Sequence, residues 1–250
     1  MERQSASDPG PPGAIRLSVV IPAYNEVDRI VPTLRSLATF LAARGETFEI
    51  LLVDDGSRDE TVRTARAAGV PLRILVLGAN RGKGAAVREG VLAAHGERVL
   101  FTDADLSTPI EDLPRLEQAL DRGATVAFGS RSVHGAEVLV RQPLYRQTMG
   151  KVFNLFVRAW VLPGVIDSQC GFKLFEARAA RQIFSRQLLP GFSFDVEVLF
   201  LARRLGLAIE EIPVRWRNSP TSRVHPVRDS FRMLRDLLRV RWYQWQGRYD

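Results

Sequence analysis

The sequence predicts an α/β protein built on a mostly parallel sheet flanked by helices. Between residues 17 and 129, five short apolar runs alternate with amphipathic segments. The runs are apolar on both faces, as strands covered on both sides are. Each run ends in polar or charged residues, and in such sheets ligands bind beyond the carboxyl ends of the strands. A scaffold with no ligand has no reason to gather such groups on one edge.

The elements follow in order. Leu17 to Ile21, Phe48 to Val53, Leu72 to Leu77, Arg98 to Thr102 and Thr125 to Gly129 read as strands. Helices are expected over Val31 to Ala43, from about Asp59 to Ala68, after Gly84, and from Pro109 to about Asp121. Beyond residue 140 the regular alternation stops. Leu144 to Val161 reads as a helix, Phe172 to Phe175 as a short strand, Ser193 to Leu205 as a helix and Ala208 to Trp216 as strand-like. A long helix spans Val227 to Trp245. Residues 1–14, rich in Pro, Gly and Ser, read as a disordered tail. One domain is expected over 15–225, followed by a basic amphipathic helix over 226–250.

Composition narrows the function classes. The chain has 250 residues, 46% hydrophobic and 25% charged, which is ordinary for one globular domain. A single cysteine, Cys170, excludes an intramolecular disulfide and makes an intracellular compartment the default. The longest stretch without Asp, Glu, Lys or Arg is nine residues, Leu17 to Asn25, against roughly 20 for a spanning helix. No signal peptide is visible, so membrane contact is expected to be peripheral, at the cytoplasmic face. The net charge is +7, and the last 36 residues carry nine arginines against three aspartates. Such an end suits an anionic partner. A nucleic-acid-binding module would leave the acidic strand ends unexplained, since carboxylates repel phosphates; no nucleic-acid partner is expected.

The strand ends carry the chemistry. Asp103-Ala104-Asp105 places two carboxylates at i and i+2 off the fourth strand, able to converge on Mg²⁺ or Mn²⁺; alone, the pair reads equally well as turn or cap carboxylates. Asp54-Asp55-Gly56-Ser57 offers a carboxylate for a base N–H or ribose hydroxyls, while Ser57 or Asp59 could cap the next helix. Asn80-Arg81-Gly82-Lys83-Gly84 resembles a phosphate loop only loosely. It either exposes amides to an anion or makes a tight turn for close helix–strand packing. Pro22-Ala23-Tyr24-Asn25-Glu26 offers an aromatic face and a carboxylate, and Ser130-Arg131 ends the fifth strand. The histidines His95, His134 and His225 fall outside these motifs and receive no role.

Val20 to Glu26, Val53 to Ser57, Asn80 to Gly84, Asp103 to Asp105 and Gly129 to Arg131 occur in an order and spacing that resemble the family 2 inverting glycosyltransferases of GT-A fold. Asp167-Ser-Gln-Cys-Gly-Phe-Lys-Leu-Phe175 and Ser193-Phe-Asp-Val-Glu197 resemble the polyprenyl-phosphate branch, dolichyl-phosphate glucosyltransferases above all. The likeness covers about residues 16–240. It implies hexose transfer, UDP-glucose being the favoured donor, onto a polyprenyl or dolichyl phosphate. It places Pro22, Tyr24, Glu26 and Asp54 around the nucleoside, with Asp55, Lys83 and Ala104 completing the donor site. Asp103 and Asp105 would hold the metal, Ser107 standing where mannosyl relatives often place a third ligand, Gln. Arg131 would face the diphosphate or the acceptor phosphate, and Arg217 and Arg223 would clamp phosphate.

A phosphate monoester acceptor has a second pKa of about 6 and needs no strong general base at neutral pH. It needs cations for positioning, a role that suits Arg131, Arg146, Arg217 and Arg223, with Asp167 and Asp195 orienting the sugar or the arginines. Asp195 reads equally well as a helix cap. Asp103, Asp105, Arg131 and Asp167 form the expected catalytic set. In the last helix, Val227, Phe231, Leu234, Leu238, Trp242 and Trp245 make one apolar stripe, with Arg228, Arg232, Arg235 and Arg239 beside it. That stripe fits a membrane interface or the domain core equally well by period. A HAD-type phosphatase also uses two aspartates after a strand, but its nucleophile lies on the opening strand.

Overall fold

The computed structural model describes the backbone of residues 14–140, 143–219 and 226–250, and the side chains there other than those of 144, 146 and 226–230. Two residues assigned above to phosphate therefore fall outside the described side chains, Arg146 and Arg223, as do His225, Val227, Arg228 and nearly all of the expected N-terminal tail.

The alternation of apolar runs and helices becomes a seven-stranded sheet. Its first half is parallel: β1 (Leu17–Ala23), β2 (Phe48–Asp54), β3 (Arg73–Val76) and β4 (Arg98–Thr102) lie side by side in the order β3-β2-β1-β4. The register sets Ala23 beside Asp54, so the loops after β1 and β2 leave the same edge. The connecting helices are α1 (Ile30–Ala43), α2 (Thr61–Arg66), α3 (Lys83–Leu92) and α4 (Leu113–Asp121), the last preceded by a 3₁₀ turn at Ile110–Asp112.

Strand side chains alternate between faces, and both faces are buried. Val20, Leu51, Val53 and Phe101 enter one core layer; Val19, Ile21, Ile50, Leu52 and Leu100 enter the other. Helix α1 buries Ile30, Leu34, Leu37 and Leu41, a 3–4 spacing that turns one stripe onto the sheet. Each such aliphatic side chain contributes about 1.5–3 kcal/mol on burial. Helix α3 approaches more closely because Gly90 has no side chain: a Cβ there would overlap Val20 and Val53.

The second half departs from simple alternation. After β5 (Val126–Ser130) the chain makes β6 (Glu137–Val140) and α5 (Leu144–Trp160), then re-enters the sheet as β7 (Phe172–Glu176). Strand β7 runs antiparallel between β4 and β5. It is followed by α6 (Ala177–Arg186), α7 (Phe194–Arg204), β8 (Ile209–Pro213), β9 (Arg215–Arg217) and α8 (Pro226–Trp245). The single strand expected over Ala208 to Trp216 is two strands in two sheets. β8 pairs with β5, whereas β9 pairs with β6. The switch is held by Asp112, whose buried carboxylate accepts from the Arg215 amide at 2.7 Å and from its Nε at 2.9 Å. Neither α6 nor β6 was expected.

Helix α8 answers the question its periodicity left open. It lays Leu237 and Val240, with Met233 and Tyr243 beside them, on the core. The stripe read from the sequence points away from it: Phe231, Leu234, Leu238, Trp242 and Trp245 are 37–77% exposed.

Candidate active site

The carboxyl edge of the sheet gathers the motifs, and hydrogen bonds distinguish residues that the sequence left equivalent. At the end of β2, Asp54 is buried; its Oδ2 accepts from the Ser57 amide at 3.1 Å. Its Oδ1 is also buried and has no hydrogen-bond partner among the described residues. A buried carboxylate oxygen left unsatisfied is costly, and it marks a position for an incoming donor. Asp55, by contrast, is fully engaged, accepting from the amides of Arg81 at 2.7 Å and Gly82 at 2.8 Å. Burial pushes its carboxyl up, against the pull of those two amides.

Of the two readings of residues 80–84, those bonds favour the tight turn over the anion-binding loop. Two amides that an anion would use already serve Asp55, and the Ala85 amide donates to Pro190 O at 3.1 Å. The glycines serve close packing instead: a Cβ on Gly82 would overlap the Pro190 carbonyl, and one on Gly84 would sit 2.6 Å from Phe194 Cβ. Ser57 is not the cap of α2 either. Its hydroxyl accepts from the Asn25 amide at 2.8 Å, and Asn25 Oδ1 accepts from the Arg58 amide at 2.7 Å, lacing the first two loops together. Asn25 sits in the left-handed region at φ 54°. Pro22 is buried within β1 opposite Val53, and Tyr24 is half-buried at the loop. Glu26 is ion-paired with Arg29.

The acidic pair stands beyond β4. Asp103 bonds its amide to Gly171 O at 3.2 Å, and its Oδ1 lies 2.6 Å from Lys83 Nζ. Gly171 must lack a side chain, because a Cβ would overlap the Asp103 carboxylate. Asp105 Oδ1 accepts from the Ser107 amide at 3.0 Å, and its Oδ2 lies 3.7 Å from Arg29. Ala104, between them, is buried, and its carbonyl accepts from Thr33 at 2.7 Å. The next residue, Leu106, adopts φ 45°, a strained conformation for leucine that costs on the order of 1 kcal/mol or more. Burial holds the Asp103 carboxyl above its ordinary range; Lys83 opposes that shift and Asp105 reinforces it. Among the described residues no three His, Cys, Asp or Glu side chains converge as a metal cage. Two hard carboxylates do fit Mg²⁺ or Mn²⁺, which take one or two carboxylates and fill the remaining positions with phosphate oxygens and water. Ser107 contributes backbone: its amide to Asp105 and its carbonyl to the Arg217 amide at 2.8 Å.

Arg131 follows β5 and is braced on two sides. Its Nε and Nη2 bind Asp167 at 2.6 and 2.7 Å, and its amide binds the same carboxylate at 2.9 Å. Its guanidinium lies 5.3 Å from the ring centroid of Trp216 on β9. Burial works against both charges, but mutual attraction prevails, holding Asp167 below and Arg131 above their usual ranges. Asp167 is fully buried with both oxygens engaged by Arg131; of the two groups it was expected to orient, the sugar or an arginine, the geometry pairs it with the arginine. Arg217 is exposed, its backbone tied to the Asp105 loop.

The sequence reading gave no role to Arg29, Lys173 and Trp216. Lys173 is fully buried, donating to Asp195 Oδ1 at 2.5 Å and to Cys170 O at 2.6 Å. Asp195 is therefore an ion-pair partner rather than a cap. A lysine within the apolar run Phe172 to Phe175 was the available signal, since a buried cation requires a counter-charge.

The glycosyl transferase family 2 model matches residues 18–184. The chain is 34% identical over 243 residues to the dolichyl-phosphate beta-glucosyltransferase of Dictyostelium discoideum, covering 91% of this chain and 74% of that protein. It is 34% identical over 242 residues to the Homo sapiens protein of the same name, covering 90% and 75%. The Saccharomyces cerevisiae counterpart is 36% identical over 256 aligned positions, covering 94% and 77%. The structure is similar to glucosyl-3-phosphoglycerate synthase from Mycobacterium tuberculosis in complex with Mn²⁺, UDP and glucosyl-3-phosphoglycerate. The TM-score is 0.67 at 23% identity, over 90% of this chain and 78% of that one, and the shared fold is GT-A. With a family model matching well over half its length and these relatives, the chain belongs to glycosyltransferase family 2.

Proposed function

We propose that this protein transfers glucose from UDP-glucose, with inversion, onto the phosphate of a dolichyl or other polyprenyl phosphate at a membrane surface. The observation that carries the reading is the acidic pair Asp103 and Asp105 on the carboxyl edge, counter-charged by Lys83 and Arg29 and supplying two protein carboxylates. The names of the relatives add the acceptor and the sugar. Asp103 and Asp105 would hold Mg²⁺ or Mn²⁺, which offsets charge on a departing diphosphate.

The chain's own groups do the rest. Asp54 Oδ1 accepts a hydrogen bond from the nucleoside, with Pro22 near the end of β1 and Tyr24 in the loop that follows. Lys83 keeps a cation beside Asp103. A phosphate oxygen of the acceptor, dianionic above about pH 6, forms the new bond to the anomeric carbon. The bond from that carbon to the donor phosphate breaks on the opposite face, and UDP leaves with the electron pair. Arg131, fixed by Asp167 and Trp216, presents its charge without rearrangement, the economy on which electrostatic catalysis depends. Arg146, Arg217 and Arg223 add cations for the acceptor.

The exposed apolar stripe of α8 supports the membrane address, with Arg232, Arg235 and Arg239 on the same helix. Each arginine near anionic lipid is worth about 1 kcal/mol. Helix α5 adds exposed Leu155, Phe156 and Trp160. No described helix is long and apolar enough to cross a bilayer. Replacing both Trp242 and Trp245 by Ser is expected to release the protein from anionic vesicles in co-sedimentation; unchanged sedimentation would count against the address.

Incubating the protein with Mn²⁺, a polyprenyl phosphate and a panel of radiolabelled sugar nucleotides tests the activity. Label should enter the organic phase from UDP-glucose. If no donor in the panel labels that phase, the reading fails.

A further inference from the structure

The last residues of the chain fold back into the core. After Gly247, at φ 70°, Tyr249 is buried with its ring 6.1 Å from that of Phe200. Its hydroxyl donates to Glu197 Oε1 at 2.7 Å. Glu197, fully buried in the first turn of α7, also accepts from the amides of Leu188 at 2.9 Å and Leu189 at 2.8 Å. One carboxylate thus fixes two consecutive amides of the loop between α6 and α7 and is itself held by the end of the chain.

That loop lies against the donor site. Pro190 O accepts from the Ala85 amide in the first turn of α3. Gln187 bridges the Gly84 and Leu189 carbonyls at 3.0 and 2.9 Å. Gly82 and Gly84 press so close on Pro190 and Leu189 that neither has room for a Cβ. Lys83, between those glycines, is the residue whose ammonium meets Asp103. Helix α8 braces the loop a second time, through the contact between Ser193 Oγ and Asp236 Oδ2 at 3.1 Å.

We infer that Glu197 and Tyr249 are positioning residues for the donor diphosphate: by fixing residues 188–190 they set the start of α3 and so hold Lys83 at Asp103. Neither touches the reacting atoms. The inference rests on the proposed function for the identity of the ligand, not for the mechanical link. Because the glycine contacts allow almost no slack, a shift of the loop passes directly to the first turn of α3. The same chain of contacts joins α8, which carries the exposed apolar stripe, to the acidic pair.

Tyr249→Phe deletes the hydroxyl and keeps the ring. Hydrogen–deuterium exchange over residues 83–87 and titration of the full chain with UDP and Mn²⁺ provide two readouts. The variant should exchange faster in that segment and bind UDP about three- to tenfold more weakly, the range of one net hydrogen bond. Glu197→Gln, which keeps shape and one acceptor, should shift both readouts in the same direction and carries the test if Tyr249→Phe does not fold. Leu116→Ala, on α4 in the other core layer, is the control for general loosening: it should lower the melting temperature yet leave exchange over 83–87 as in the wild type. Unchanged exchange over 83–87 in the Tyr249 and Glu197 variants, or an equal rise in the Leu116 variant, overturns the inference. A wild-type protein that binds no UDP would sink the donor reading instead, while the exchange comparison still decides the mechanical link.

Discussion

Two lysine–aspartate pairs share the ring of Phe101, and they have opposite characters. Lys83 Nζ lies 5.2 Å from the ring centroid and Lys173 Nζ 6.0 Å. In the first pair the side chains of Lys83 and Asp103 remain 23% and 31% exposed; in the second those of Lys173 and Asp195 are 1% and 4% exposed. The first stands at the mouth of the strand edge, within reach of solvent. The second is sealed, with Lys173 spending a further donor on the Cys170 carbonyl. One chemical motif thus serves two ends: an open pair can be recruited by a ligand, while a closed pair joins β7 to α7 behind it. What separates them is access to water, which decides whether a charge is available or already committed.

The sharpest way to break this comparison is at the open site. Asp105→Ala should abolish transfer, a loss on the order of 10³-fold or more in kcat, comparable to deleting a group that meets developing charge. Its melting temperature should change little, because losing the Ser107 and Arg29 contacts is offset by removing a like charge beside Asp103. Activity within tenfold of the wild type in the radiolabel assay would mean that the acidic pair is not where the donor binds.

At the closed site the effect should move from activity to stability. Lys173→Met strands a buried carboxylate and should cost about 3–5 kcal/mol in denaturant unfolding. Combining it with Asp195→Leu should recover most of that loss, because replacing a buried pair with apolar groups is often neutral. A double variant no better than the single one would show that the pair is more than mutual compensation.

A smaller effect is expected in acid. Asp167 is held below its ordinary range by Arg131, so it contributes stability that is present above its unfolded value of about 3.9. That contribution is lost as the pH falls through the lowered folded value. The wild type should therefore lose melting temperature below about pH 4. Asp167→Asn, which does not titrate there, should be less stable at neutral pH and show a shallower acid limb; parallel limbs would deny the coupling.

The alternation of strands and helices up to β5 was legible because each signal is local. Apolar runs bounded by turn residues specify strands, and polar groups at their ends specify the working edge. Helix α6 and strand β6 were not: the first has only ten residues, and three of its five apolar positions are alanines, while the second lies exposed in a two-stranded ribbon, where no buried face imprints a pattern. At the site, the motif positions were readable while their division of labour was not. Asp54 and Asp55 are neighbours of one type, and only the amides of Arg81 and Gly82, 26 and 27 residues away, commit Asp55 and leave Asp54 open.

By itself, then, the sequence determined the α/β class, the parallel half of the sheet, the acidic pair beyond the fourth strand and the basic last helix, since backbone sterics and side-chain period act over a few residues. Tertiary structure alone decided that β7 enters the sheet reversed, that Asp167 serves Arg131 from 36 residues away, and that Tyr249 closes on Glu197 across 52. It also decided which apolar stripe of α8 meets the core and which is left exposed. Such partners are chosen by packing in three dimensions, and a buried charge or donor accepts whichever complementary group the fold brings within reach.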